Sequence, residues 1–423
     1  MTHNLRGRIK EAIALFLPGI FLLGFNIGTG SVTAMAKAGA SYGMSLLWTL
    51  LLSCIATYIM IGAYGRYTLV TGETALHAFR KHIHPAIAIY FIIALTIGVS
   101  GSVMGVMGVI AEISFIWSKT FIAGGIAPIY WAIFFSALVL FIFWNGRTQV
   151  FERALAIIVA IMAACFIINF FISMPPAVDI AKGLLPSIPA IAETKPSSES
   201  QGPLLLIASM VGTTLYSGLF IIRTTLVKEA GWTIKDIKQQ NNDAMFAVVM
   251  MFIISAAIMA AAAGTLFAEG IGLDKPSQMI SLLEPLAGSF AASIFAVGII
   301  SAGVSSQFPN VLMLPWLLCD YQNSPRDMTL PKYRIMVLGI SLLGLVVPLF
   351  DARPLFVMIA SQAFNVMLLP LTVGAIIYLG NRADLMGQYR NSRLANLMLF
   401  AIFLFALVIG YMGLQGLIEM ING

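Results

Sequence analysis

The chain has 423 residues, 59% of them hydrophobic and 10% charged, with a mean hydropathy of +0.93. Soluble domains carry about 25% charged residues, so a water-soluble enzyme and a disordered scaffold are both excluded, and the solvent that suits this chain is a lipid bilayer. A net charge of +6 would suggest nucleic acid in a soluble protein; here the basic residues sort by loop, which explains the charge without a nucleic-acid partner.

A helix needs about 20 apolar residues to cross a bilayer. Eleven such runs are expected, over 12–38, 43–65, 85–110, 126–145, 151–174, 203–227, 244–268, 286–318, 335–350, 354–380 and 394–420. Backbone groups in lipid must be satisfied within each segment, so the runs are helices. No period-two alternation points to a barrel. The basic stretch Met1–Glu11 precedes an apolar run too long for a signal peptide.

Orientation follows the loop cations. With the N-terminus in the cytoplasm, the cytoplasmic segments gather Arg6, Arg8 and Lys10; Arg66, Arg80 and Lys81; Arg147 and Arg153; Lys228, Lys235 and Lys238; Arg326, Lys332 and Arg334; and Arg382, Arg390 and Arg393. The outer loops keep only Lys119, Lys182, Lys195, Lys275 and Arg353. This bias predicts an integral protein of the plasma (inner) membrane, with its C-terminus outside.

An odd number of spans makes spans 1–5 and 6–10 enter the membrane from opposite sides. That pattern predicts two inverted five-helix repeats plus one helix: residues 1–174, a Pro- and Ser-rich outer linker at 175–202, a second repeat at 203–380, and a cytoplasmic loop with the eleventh helix at 381–423. Transporters built this way often break the first helix of each repeat at the midplane. Span 1 contains Gly24-Phe-Asn-Ile-Gly28-Thr-Gly30-Ser31, and span 6 contains Gly212-Thr-Thr-Leu-Tyr-Ser-Gly218. Unwound backbone at that depth must be buried in protein or line a cavity. The expected cavity draws Asn26, Gly28, Thr29, Ser31 and Thr33 from span 1, Thr213, Thr214, Tyr216, Ser217 and Gly218 from span 6, and Gln362 and Asn365 from span 10. The alternative for each is an ordinary small packing residue.

These residues resemble the NRAMP family of metal-ion transporters, and the resemblance runs along essentially the whole chain. It rests on Gly28-Thr-Gly-Ser31 before Ala38-Gly-Ala40, Tyr42-Gly43, Leu46-Leu-Trp48, Leu69-Val-Thr-Gly-Glu73, Leu226-Val-Lys-Glu229, Ala302-Gly-Val-Ser-Ser306, Ser361-Gln362, Leu369-Pro370 and Leu385-Met-Gly387. The resemblance implies an all-α membrane protein with the LeuT-type fold, five plus five inverted helices and one more, that moves metal ions. The family's metal motif does not carry over. Its Asp-Pro-Gly-Asn falls on Gly28–Ser31, and its Met-Pro-His-Asn falls on Tyr216–Leu219. The hard oxygen ligand, the thioether and the proton-handling imidazole of the family are thus replaced.

A separate count agrees. The histidines, His3, His77, His82 and His84, lie in cytoplasmic segments, and the acidic residues can all be placed at span ends or in loops, with Glu112 just past span 3. Divalent transition metals want charged oxygen, imidazole or thiolate, and proton relays usually need an intramembrane acid or histidine. No metal ligand and no cofactor is therefore assigned. The site suits a small polar solute or a monovalent cation; Mg²⁺ that keeps its water is also compatible. Another possibility is a membrane sensor that does not transport. Ser305 and Ser306 could complete a cation site or simply pack. Arg223 either snorkels to the interface or makes a gate or vestibule contact, and Lys37 poses the same choice. Cys54, Cys165 and Cys319 are too dispersed for a metal or disulfide framework, and the 23 methionines are common fillers of apolar helices. No catalytic set or nucleotide loop argues for an enzyme. Oligomeric state is not legible.

Overall fold

The computed structural model describes residues 19, 22, 24, 26–144, 164, 167–168, 170–171, 174–189, 202–282, 289–350 and 352–422, without side chains at 280–282, 289–295 and 420–422. Among these residues all regular structure is helical. The principal helices are α1 (Thr29–Tyr42), α2 (Leu47–Thr71), α3 (Pro85–Ser118), α4 (Pro128–Trp144), α5 (Pro203–Thr214), α6 (Ser217–Glu229), α7 (Ile237–Ala262), α8 (Ser289–Gln322), α9 (Pro331–Leu343), α10 (Pro354–Asn365), α11 (Leu369–Asn381) and α12 (Arg393–Asn422).

The boundaries follow local chemistry. α3, α5, α9 and α10 open on proline, which has no N–H to lose in a first turn. α2 stops at Gly72, whose left-handed φ of +69° lets its N–H reach the Thr68 carbonyl. Among the described residues, eight helical segments are long and apolar enough to span a membrane, and Pro128–Trp144 is a shorter apolar helix. Of the expected spans, 151–174 lies largely outside the described residues, and 12–38 is described at 19, 22, 24 and from 26 on. Span 335–350 is part of a longer segment, Pro331–Phe350. Large apolar side chains such as Leu397, Phe400, Leu404 and Tyr411 stand exposed along α12, as a lipid-facing surface requires.

α3 and α10 pack closely because α3 presents a glycine face. A Cβ at Gly105 would lie 2.9 Å from Met358 backbone, one at Gly101 2.8 Å from Ser361 Cβ, and one at Gly108 2.9 Å from Pro354. Small residues at helical spacing allow backbones to approach in a membrane, where packing replaces the hydrophobic drive. α3 also runs along α8, whereas α1 packs chiefly against α7, and α2 against α6 and α7.

The helices reach further than the expected spans and take in three acidic residues. α3 continues to Ser118 and takes Glu112 into its interior. α7 begins at Ile237, not 244, so Asp243 lies inside the helix and is fully buried. α8 extends to Gln322 with Asp320 buried near its end. Composition places charges at span ends because a lone charge in lipid is costly. For Asp243 and Asp320, specific partners described below remove that restriction.

Candidate functional site

Both expected breaks exist. Span 1 is helical at Asn26, bends at Ile27 and Gly28, and resumes as α1 at Thr29. Gly28 is extended, with φ −101° and ψ −173°, and no side chain caps α1. Span 6 ends α5 at Thr214 and restarts as α6 at Ser217, with Tyr216 extended between them. Span 10 has a third discontinuity, a 3₁₀ turn at Val366–Leu368 between α10 and α11.

The two breaks are tied together. The helix interruption frees the Thr214 carbonyl, which accepts from Asn26 Nδ2 at 3.1 Å and Thr57 Oγ1 at 3.0 Å. Asn26 Nδ2 also lies 3.4 Å from the Met251 thioether. A carbonyl freed inside a span needs such donors, because lipid offers none.

Between the breaks lies a small cavity of about 40 Å³, bounded by Asn26, Gly28, Gly30, Ser31, Thr213, Tyr216, Gln362 and Asn365 together with Val99, Ser102 and Val106 of α3 and Ser306 and Asn310 of α8. Gln362 Nε2 donates to Ser102 Oγ at 3.2 Å, and the Ser31 and Ser255 hydroxyls are 3.4 Å apart. The buried Asn365 Oδ1 has no hydrogen-bond partner. The described lining contains no carboxylate, ammonium, guanidinium, imidazole or thiol. Nor does any cluster of three His, Cys, Asp or Glu occur among the described residues.

Of the residues expected at the cavity, Asn26, Gly28, Ser31, Thr213, Tyr216, Gln362 and Asn365 line it. Thr29 and Thr33 are buried within the helix packing, and Thr214 Oγ1 donates back to Met210 O. Ser217 points away and accepts from Thr372 of α11 at 2.8 Å. Gly218 lies beneath Tyr216: a Cβ there would meet the Tyr216 ring at 2.5 Å. Ser306 lines the cavity, but its hydroxyl donates to Ala302 O at 2.9 Å. Ser305 also bonds to Ala302 O and does not line the cavity.

Ser306 has a second role. A Cβ at Gly28 would lie 2.4 Å from Ser306 Cβ and 2.7 Å from its hydroxyl. Position 28 therefore has no room for any side chain while Ser306 stands opposite. Sequence reasoning missed Ser102 and Asn310. A lone serine in an apolar helix carries no signal, but Asn310 lies one turn from the noted Ser306, and i,i+4 spacing could have found it.

Arg223 neither snorkels nor reaches the cavity. Its guanidinium is fully buried, ion-paired with Asp243 at 2.5 Å, bonded to Gln240 at 3.0 Å and set over the Trp232 ring. Asp243 in turn accepts from the Gly19 N–H at 2.8 Å. The pair therefore anchors the first half of span 1 to α6 and α7. Lys37 is also buried and ion-paired: it donates to Asp274 at 2.6 Å and to Leu273 O at 2.7 Å.

A family model described as natural resistance-associated macrophage protein-like (Nramp) matches residues 20–415. The divalent metal cation transporter MntH of Erwinia tasmaniensis is 22% identical over 400 residues, covering 93% of this chain and 92% of that protein. Among solved structures, the Eremococcus coleocola manganese transporter, in complex with an aromatic bis-isothiourea substituted compound, superposes with a TM-score of 0.74 at 16% identity. The match covers 96% of this chain and 86% of that one. MhsT in complex with L-phenylalanine superposes at 0.63 with 14% identity, covering 96% and 98%. Both likenesses support the LeuT-type fold that the family resemblance implies.

Proposed function

This chain belongs to the Nramp family, and from that premise we propose that it is a membrane transporter whose substrate binds between the Gly28 and Tyr216 breaks and is not a dehydrated transition metal. The observation that carries this reading is the described lining, whose polar side chains are amides and hydroxyls without a charged group. Mn²⁺ or Fe²⁺ stripped of water would be poorly compensated by neutral oxygens. A small polar solute, or a monovalent cation, matches the mixed donors and acceptors of Asn26, Asn310, Gln362 and Asn365. The 2.4 Å approach at Gly28 supports the same conclusion, because it leaves no space for a carboxylate there.

Family membership favours a second reading, a divalent cation as in the MntH relatives, carried with its water shell hydrogen-bonded to the same amides. Mg²⁺ holds its water tightly enough for this. The layout belongs to the proposal: repeats at 1–174 and 203–380 joined by 175–202, a closing segment at 381–423, and the Arg-rich face in the cytoplasm, supported by the loop charges.

The test is calorimetric titration of the purified protein with Mn²⁺ and Mg²⁺, beside a Gly28→Asp/Tyr216→Met/Ser306→Gly variant that makes room for a carboxylate and a thioether. The wild type is expected not to bind Mn²⁺ at micromolar concentrations, while the variant gains binding. Micromolar Mn²⁺ binding by the wild type would overturn the proposal. Mg²⁺ binding without Mn²⁺ binding would select the second reading.

A further inference from the structure

The cavity lies between two sets of helices. On one side are the broken helices, with α2 and α7 packed on them; on the other are α3, α8 and α10, the last of which also packs on α5. Alternating access requires these sets to part on one face and then on the other. Contacts that cross between the sets, away from the cavity, are where that motion is held.

On the face opposite the Arg-rich loops, a crossing contact is the Lys37–Asp274 ion pair, its lysine buried and its aspartate partly exposed. Lys37 belongs to α1, nine residues beyond Gly28, which is about 13 Å along the helix. Asp274 belongs to the loop after α7. Gln278 holds that loop in shape by accepting from the Asp274 and Lys275 N–H groups at 2.7 and 2.8 Å. The 3₁₀ segment that follows, Pro276–Leu282, rests on α3 and α8. The pair therefore ties the outer half of the first broken helix to the α3/α8 set.

On the Arg-rich face the crossing contact is a clamp on the short helix Ala75–Ala78. Its first N–H, from Ala75, donates to Thr224 Oγ1 of α6 at 2.9 Å. The next two, from Leu76 and His77, donate to the buried Asp320 carboxylate of α8 at 3.2 Å each. One helical turn thus joins the second broken helix to the same α8 that lines the cavity. Asp320 is ten residues beyond Asn310, about 15 Å along α8. Around the clamp, Lys228 of α6 bonds to Asn323, and Glu229 pairs with Arg326.

We propose that the Lys37–Asp274 pair and the Thr224–Asp320 clamp are the two gates of the transport cycle, one on each side of the cavity, and that each must open for the cavity to reach its own face. The proposal rests on the transporter reading. Arg223–Asp243 is not a gate in this scheme. It joins elements of the broken-helix set to one another and keeps that set moving as one body.

The experiment needs no substrate. A single reporter cysteine, Thr213→Cys, is placed in the cavity of a Cys54→Ser/Cys165→Ser/Cys319→Ser protein. A membrane-impermeant thiol reagent is then applied to each face, in vesicles of both orientations. Lys37→Met and Asp274→Asn should each raise labelling from the face opposite the Arg-rich loops by about tenfold and lower it from the Arg-rich face, in the range of typical coupling effects. Asp320→Asn and Thr224→Val should do the reverse. The swap Lys37→Asp/Asp274→Lys should restore the parent ratio. Unchanged ratios, or a rise from both faces in all variants, would overturn the gates. Opposite shifts in a protein that moves no solute would keep the gates and defeat the transport reading instead.

Discussion

Arg223→Met tests whether charge pairing stabilises the core of the broken-helix set. In the wild type Arg223 is matched by Asp243 and Gln240, with both charged side chains fully buried. Removing the guanidinium leaves Asp243 with the Gly19 N–H and strands the Gln240 side-chain carbonyl. Breaking one partner of a buried pair costs about 3–5 kcal/mol. Asp243→Leu should cost a similar amount by stranding the arginine. Arg223→Met/Asp243→Leu removes both charges and leaves chiefly the Gly19 N–H and Gln240 unpaired, at about 1–3 kcal/mol. The double variant should therefore be more stable than either single one. Denaturation of the detergent-solubilised protein, followed by tryptophan fluorescence, measures all three; Trp232 lies 5.4 Å from the guanidinium and reports the site directly. A double variant that loses the sum of the two single costs would refute the reasoning, because additive effects mean that the charges do not stabilise each other.

Gly28→Ala should destabilise the protein by about 1–3 kcal/mol through overpacking, and Ser306→Gly should recover most of that loss in the same denaturation assay. Gly218→Ala should displace the Tyr216 ring, which lies 2.5 Å from the added carbon, and weaken cavity binding of whichever solute the wild type takes up in liposomes; Tyr216→Ala in the same chain should relieve the clash but not restore binding. Burial raises the Glu73 carboxyl, but hydrogen bonds from Lys81, His82 and Tyr67 outweigh it and hold its pKa below the ordinary 4.5. Its contribution is therefore present above that value and is lost as pH falls through the lowered one. Glu73→Gln should be less stable than wild type at pH 7, and the gap between their melting temperatures should close below about pH 4.5; a gap that widens with acid would contradict the assignment.

The helix breaks were legible because glycine and hydroxyl residues interrupt runs that are otherwise apolar, and apolar runs have few other reasons to carry them. The same logic found seven of the cavity's lining residues on spans 1, 6 and 10. It could not find Ser102, whose helix has no interruption, nor separate Ser217 from Ser31, since a hydroxyl's direction depends on helix rotation. Arg223 was visible as an isolated charge, yet its partner was not. Hydropathy started span 7 at residue 244, one residue after Asp243, because a window that ends at a charge cannot see that the charge is already matched. The glycine face of α3 was readable only as composition until α10 was seen against it.

The contact between Gly28 and Ser306 constrains the order in which this site could change over generations. Any residue larger than glycine at 28 meets Ser306 first, so a lineage would have to shrink position 306 before it could enlarge position 28. At position 218 the obstacle is the outer part of the Tyr216 ring, which can swing aside, so that constraint is softer. A single enlargement at Gly28 clashes unless position 306 shrinks as well. Such epistasis acts as a ratchet: once these neighbours occupy the space, chance mutation has few open routes to a charged pocket, and descendants keep the neutral one.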